Sequence, residues 1–217
     1  MSTSLQIELE NDIIFGVYAA GTRITEDSVM EQYGAKRHTV RNAFSALESQ
    51  GLLVRRPNKG VEVVEYTPEE VDSLYDLRII LETAAARRTS LPANPDVIQR
   101  LEEIAARHAD AVKCEDFREV YRLNQQFHEL QYTCCENPRL ADMISRHARM
   151  AQPIRVVKYD DKEHMRAIVT QHMAIIDALR GGSQQAYEQA VREHLPASAE
   201  AYRALYERRY GRRRASG

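Results

Sequence analysis

Apolar residues in the first part of the chain recur at a helical period three times and then change rhythm. Leu9, Ile13 and Val17 lie one turn apart and Gly21 breaks the pattern, which predicts a first helix. Thr25 is placed to N-cap a short second helix. Glu26 and Asp27 in its first turn suit the positive end of the helix dipole, and Gly34 stops it. After a tight corner at Tyr33-Gly34-Ala35, Val40, Ala43, Phe44 and Leu47 fall at i, i+3, i+4 and i+7, so a third helix is expected, ended by Gly51. LLVRRPNKGVEVV then gives two short β-favouring runs around Pro57, Asn58, Lys59 and Gly60, which predicts a hairpin. Three short helices and a hairpin make residues 1–66 a winged helix-turn-helix.

Tyr66-Thr67-Pro68 is the expected linker, with Thr67 able to cap the next helix and Pro68 suited to its first position. From residue 67 to 210 the pattern stays helical, with five or six amphipathic segments and no strand. Their apolar stripes run through Leu74, Leu77, Leu81 and Ala84, then Val97, Leu101, Ile104 and His108, then Phe117, Val120, Asn124 and Phe127. Leu140 and Ile144 follow the break at Asn137-Pro138. Met165, Ile168, His172, Ile175 and Leu179 precede Gly181-Gly182, and Tyr187, Val191, His194, Ala201 and Leu205 form the last stripe, with a kink expected at Pro196. The expected architecture is mainly α, a winged helix-turn-helix followed by an all-α helical bundle. Residues 211–217, the end of ERRYGRRRASG, are expected to be a disordered basic tail.

Composition adds limits to this picture. The 217 residues are 43% hydrophobic and 29% charged, enough for a real core, and the net charge of −2 gives no overall basic excess for nucleic acid or an anionic membrane. No apolar run approaches the ~20 residues of a membrane span, and MSTSLQIELEND lacks the basic start and apolar run of a secretory signal. A cytoplasmic protein with no membrane partner is expected. Cys114, Cys134 and Cys135 are odd in number and lack CxxC spacing, so neither a disulfide framework nor a thiolate zinc site is indicated.

Any basic surface must therefore be local. Between residues 36 and 60 the cations Lys36, Arg37, Arg41, Arg55, Arg56 and Lys59 stand against Glu48 alone. With Val40, Phe44 and Leu47 buried, Arg37 and Arg41 share the opposite face of the third helix, and Lys36, His38 and Thr39 surround its start. A recognition helix presents that end to the major groove, where arginine binds guanine edges bidentately and Lys or Thr holds phosphates. Lys59 and Gly60 at the wing tip can reach a neighbouring groove or backbone. The competing interpretation is a merely solvated basic helix face.

Six of the seven histidines lie beyond residue 100. Asn124 and His128 share one helix face, and His172 and His194 fall on the apolar stripes of two later helices. A bundle can converge these four on an interior site with imidazole nitrogens and an amide oxygen as ligands. His108 and His147 also fall on inward faces, and a lone inward histidine is more often a hydrogen-bonded core residue. Spacing alone leaves both alternatives open.

The first block, GTRITEDSVMEQYGAKRHTVRNAFSALESQGLLVRRPNKGVEVV, resembles the DNA-binding domain of GntR-type bacterial transcription regulators. It keeps Gly21, Glu26, Gly34, Arg37, Val40, Arg41, Ala43, Leu47, Glu48, Gly51, Leu52 and Gly60 of that pattern. It departs at Lys36, His38, Thr39 and Asn42, and Asp27 stands where some relatives carry a DNA-contacting arginine, so the resemblance does not transfer an operator sequence. It implies double-stranded DNA as partner, a homodimer, and DNA contacts from Arg37 and Arg41, to which the placement at the helix start and wing tip adds Lys36, His38, Thr39, Lys59 and Gly60 as expected contacts.

YDLRIILETAAARR, NQQFHEL, ENPRL, QHMAIIDAL and REHL are similar to the motifs of the FCD effector domain found in the FadR-like branch of that family. The resemblance implies a divalent ion such as zinc, nickel or manganese on Asn124, His128, His172 and His194 and puts Arg78 near the pocket, where it can clamp the carboxylate of a small organic acid effector or make an ordinary ion pair at the helix surface. Asn124 stands where aspartate is usual. An uncharged ligand set of this kind leaves the charge of the cation to attract an anion. The rival interpretations are a metal-dependent enzyme and a purely structural metal. The first lacks an HExxH motif, a general base paired with the histidines and a nucleotide loop.

Overall fold

The computed structural model describes residues 2–56 and 60–214. The chain forms two compact units, one of Met1–Thr67 with Arg149–Pro153 and one of Pro68–Ala148 with Ile154–Gly217. The first unit is built from α1 (Ser2–Ile14), β1 (Arg23–Ile24), α2 (Glu26–Tyr33), α3 (Arg37–Ser49), β2 (Leu53–Arg56) and β3 (Gly60–Val63). Leu9, Ile13, Val29, Val40, Phe44 and Leu47 are its buried helical positions, the faces that their spacing marks. Val17 differs: α1 stops at Ile14, and Val17 is exposed beyond it.

Local chemistry sets the ends of these helices. Thr25 Oγ1 accepts from the Ser28 N–H at 3.2 Å while Ser28 Oγ accepts from the Thr25 N–H, a reciprocal cap that fixes the start of α2. Gly34 closes α2 with φ 62°, a left-handed conformation that turns the chain directly into α3. The expected hairpin is present, with Leu53 opposite Val63 and Arg56 opposite Gly60. Periodicity did not reveal β1, which is two residues long and pairs antiparallel with β3 through Ile24 and Val61 to give the sheet order β1-β3-β2.

The second unit contains α4 (Pro68–Arg88), α5 (Pro95–Lys113), α6 (Phe117–Thr133), α7 (Pro138–Met150), the short α8 (Gln152–Arg155), a single 3-10 turn at Val156–Lys158, α9 (Lys162–Gly181), α10 (Gln184–His194) and α11 (Pro196–Arg214). Side chains of Asn94, Asp116, Asp161 and Ser183 cap α5, α6, α9 and α10. Leu101, Phe127, Ile175, Ile176, Leu179 and Val191 form one buried cluster of this unit, drawing on α5, α6, α9 and α10.

Three sequence expectations are corrected here. Pro196 starts a separate helix instead of kinking one, because its missing N–H costs nothing at a first turn. On α4, Leu77 is exposed and the polar residues Arg78 and Glu82 lie inward, so the Leu74–Leu77–Leu81 stripe misplaces its buried face. Arg78 and Glu82 neutralise each other, which is what makes a charged inward face tolerable. Helix α11 runs to Arg214 and so takes in residues 211–214 of the expected tail.

Candidate functional site

In the first unit, burial of Val40, Ala43, Phe44 and Leu47 turns Arg37 and Arg41 outward, with side chains 57% and 68% exposed. Lys36 and His38 are exposed at the start of α3, and Thr39 is half-buried with its Oγ1 3.3 Å from His38 Nε2. Both arginines are held by acids of α2. Arg37 reaches Asp27 at 2.7 Å and Glu26 at 3.4 Å, and Arg41 Nε reaches Glu26 at 3.0 Å. A charge count confined to residues 36–60 misses these partners, because the fold brings them from ten or more positions upstream. Gly60 has φ 80°, and a Cβ there would sit 2.9 Å from the Ile24 carbonyl oxygen, so the pairing of the wing already demands glycine. Lys59 lies outside the described residues.

In the second unit, α6 presents Asn124 and His128 on its buried face, α9 supplies His172 and α10 supplies His194. One nitrogen from each histidine lies within 4.8 Å of the others. His128 Nδ1 is 2.9 Å from Gln131 Oε1, and His194 Nδ1 is 3.0 Å from Gln171 Oε1. Gln171 Nε2 donates to the Glu193 carbonyl, which only accepts and so fixes that amide with its oxygen toward His194, while Gln131 Nε2 donates to Tyr187 Oη. With both glutamine oxygens accepting, the ring protons lie on Nδ1 and the two Nε2 atoms face each other as lone pairs, 3.0 Å apart. Two facing lone pairs repel unless a cation or proton joins them. Outer hydrogen bonds of this kind commonly orient metal-ligating imidazoles.

The remaining donors are as telling. His172 is fully buried and neither ring nitrogen has a hydrogen-bond partner; the Asn124 amide nitrogen is also without one. Burial, then the neighbouring rings and Arg155, holds His172 well below the ordinary imidazole pKa. His128 and His194 are lowered in the same way, with burial first. All three are therefore neutral near pH 7, the form that ligates metal. The donor set fits a divalent cation. His108 borders it, with its ring 4.9 Å from that of His172, whereas His147 is tied to the Met143 carbonyl. Gln131 and Gln171 were not anticipated; their only sequence signal is proximity to His128 and His172.

Arg78 is buried, with Nη2 2.9 Å and Nε 3.1 Å from Glu82 Oε1. Tyr132 Oη donates to the other carboxylate oxygen at 3.3 Å, and the Tyr75 ring lies 5.0 Å from the guanidinium. This cation is already committed to a carboxylate of its own chain.

Comparison with known proteins agrees with these two units. Residues 73–197 match the FCD domain, and residues 2–63 match the bacterial regulatory proteins of the gntR family. The HTH-type transcriptional regulator YdhC of Bacillus subtilis (strain 168) is 27% identical over 190 residues, 87% of this chain and 84% of its own. The HTH-type transcriptional repressor RspR of Escherichia coli (strain K12) is 25% identical over 197 residues, 91% of this chain and 86% of its own. Escherichia coli McbR/YncC shares the fold with a TM-score of 0.79 at 19% identity, covering 94% of this chain and 98% of its own. The matched families and relatives are regulators and not enzymes, which sets the hydrolase alternative aside. Among the described residues no helix is long and apolar enough to cross a membrane. The chain belongs to the GntR family of bacterial regulatory proteins and is a DNA-binding transcription regulator of the GntR/FCD type.

Proposed function

We propose that this regulator couples operator binding to a small organic acid sensed in the bundle, through a divalent cation held by Asn124, His128, His172 and His194. The observation that carries the reading is the pair of Nε2 atoms facing each other at 3.0 Å, each ring fixed from behind by a glutamine oxygen. When bound, a divalent cation supplies positive charge and open coordination positions for an anionic ligand. The chain's own residues do the rest: Gln131 and Gln171 fix the tautomers, burial keeps the imidazoles neutral, and Asn124 adds an uncharged oxygen. Because no ligand in this set is anionic, an organic carboxylate is the fitting effector class.

On the DNA side, Arg37 and Arg41 are the base readers, with Lys36, His38, Thr39, Lys59 and Gly60 as phosphate and groove contacts. Two copies of α3 would occupy successive major grooves about 34 Å apart, which requires a homodimer on a roughly palindromic operator in the cytoplasm. Effector and operator then influence each other reciprocally. The test is metal analysis of purified protein, followed by operator titration with and without a panel of carboxylates. His128→Ala with His172→Ala should lose the metal and the acid response while keeping basal operator affinity. An undiminished acid response in that double variant refutes the metal-bridged reading.

A further inference from the structure

Arg155, at the end of α8, is 8% exposed, yet among the described residues its guanidinium takes part in no hydrogen bond and no ion pair. Arg78 is equally buried but has Glu82 against it. A buried cation without a counter-ion is costly, so an anion that reaches it gains more than one paired at the surface. Arg155 borders a small chamber of about 20 Å³ together with His108, Asn124, Tyr159 and His164. Arg155 shares this chamber with His108, whose ring lies 4.9 Å from that of His172, so the cation stands beside the histidine cluster.

Tyr159 and Met165 line the chamber and also a larger cleft of about 420 Å³. Phe117 and Val120 give that cleft an apolar wall, and the charges around it are of both signs, with Lys162 paired to Glu115 and with Arg166 and Asp160 at its edge. The hydroxyl of Tyr159 is buried without a partner, and burial pushes its pKa up to about 12, so it remains a donor. A chamber of about 20 Å³ admits one water-sized group, enough for a carboxylate oxygen but not for an acid as a whole. The outer cleft has the size of a small-molecule pocket.

We propose that Arg155 is the carboxylate receptor of this regulator, with Tyr159 as second donor, and that the ligand is a monocarboxylate with a ring-sized apolar body lying in the cleft beyond Tyr159 and Met165. The inference rests on the reading of the bundle as the effector domain. It replaces Arg78 as the clamp, since Arg78 would have to abandon Glu82 to serve. An arginine fork matches a carboxylate bidentately, and pairing with a buried guanidinium is less screened than at a surface.

The test uses the full chain, zinc-loaded and chelator-stripped, with phenylacetate, its neutral analogue phenylacetamide, and acetate as probes in calorimetry and thermal melts. Phenylacetate should bind the zinc-loaded wild type, with acetate weaker and phenylacetamide silent. Arg155→Met should weaken phenylacetate by about tenfold or more while keeping the zinc content of wild type. Its ligand-free melting temperature should equal or exceed that of wild type, because an unpaired buried charge has been replaced by an apolar group. Met165→Trp, which fills the cleft, should lose phenylacetate but keep acetate. Unchanged phenylacetate affinity in Arg155→Met, equal binding of the amide, no binding to wild type, or a large drop in the ligand-free melting temperature each overturns the proposal. A wild type that holds no zinc but still binds phenylacetate through Arg155 would remove the metal reading and leave this one standing.

Discussion

Replacing Glu82 with glutamine isolates the one buried ion pair of the bundle that the described residues define. Arg78 and Glu82 are 3% and 4% exposed, and the guanidinium makes two contacts with Glu82 Oε1, at 2.9 and 3.1 Å. Burial opposes the Arg78 charge, but Glu82 and the adjoining tyrosines raise its pKa above the ordinary value, and a guanidinium stays protonated in Glu82→Gln because its intrinsic pKa is so high. Glutamine conserves volume and keeps an oxygen for Arg78, but removes the neutralising charge. Breaking one side of a buried pair costs about 3–5 kcal/mol, and the retained acceptor places Glu82→Gln near the lower end, about 3 kcal/mol. At roughly 2–4 °C per kcal/mol for a chain of this size, the melting temperature should fall by about 6–12 °C. Urea titration by circular dichroism and calorimetry of metal-free protein at pH 7 would read it, with the loss falling on the transition of the second unit. Arg78→Met combined with Glu82→Leu should return to within about 1 kcal/mol of wild type, since an apolar pair of similar volume removes both desolvation costs. A single variant within about 0.5 kcal/mol of wild type, or a double variant as unstable as the single, refutes the reasoning.

Asp27→Asn should free Arg37 from its 2.7 Å partner and speed operator association at low salt, an advantage that shrinks as salt screens the charge; anisotropy at two ionic strengths checks it. Arg41→Ala should weaken operator binding by about 1–3 kcal/mol and relax specificity at one base, read by competition with operator variants. Gly60→Ala should destabilise the first unit by about 1 kcal/mol or more, because φ is 80° and the new Cβ meets the Ile24 carbonyl oxygen; a normal melt would refute the close approach. Hydrogen bonds from Arg87, then Arg192, depress Glu188 from 4.5 to about 2. A depressed carboxylate contributes stability that is present above the unfolded pKa and lost as pH falls through about 2, so Glu188→Gln should lower the melting temperature at pH 7 by an amount that vanishes in strong acid.

The sequence by itself determined the elements and the outline of the site. The caps at Thr25 and Gly34, the buried face of α3, and the inward placement of Asn124, His128, His172 and His194 are all written in residues at most four positions apart. That is the range over which helical periodicity and capping act. Only the tertiary structure decided which charges meet. It set Glu26 and Asp27 against Arg37 and Arg41, placed Gln171 behind His194 and Tyr187 beside Gln131, and left Arg155 buried with no ion-pair partner among the described residues. Leu77 and Arg78 are neighbours on one helix, and periodicity ranked the leucine as the buried one; packing reversed the order because a carboxylate one turn away neutralises the arginine. Where burial and pairing depend on groups brought together from distant parts of the chain, no local pattern records which partners will arrive.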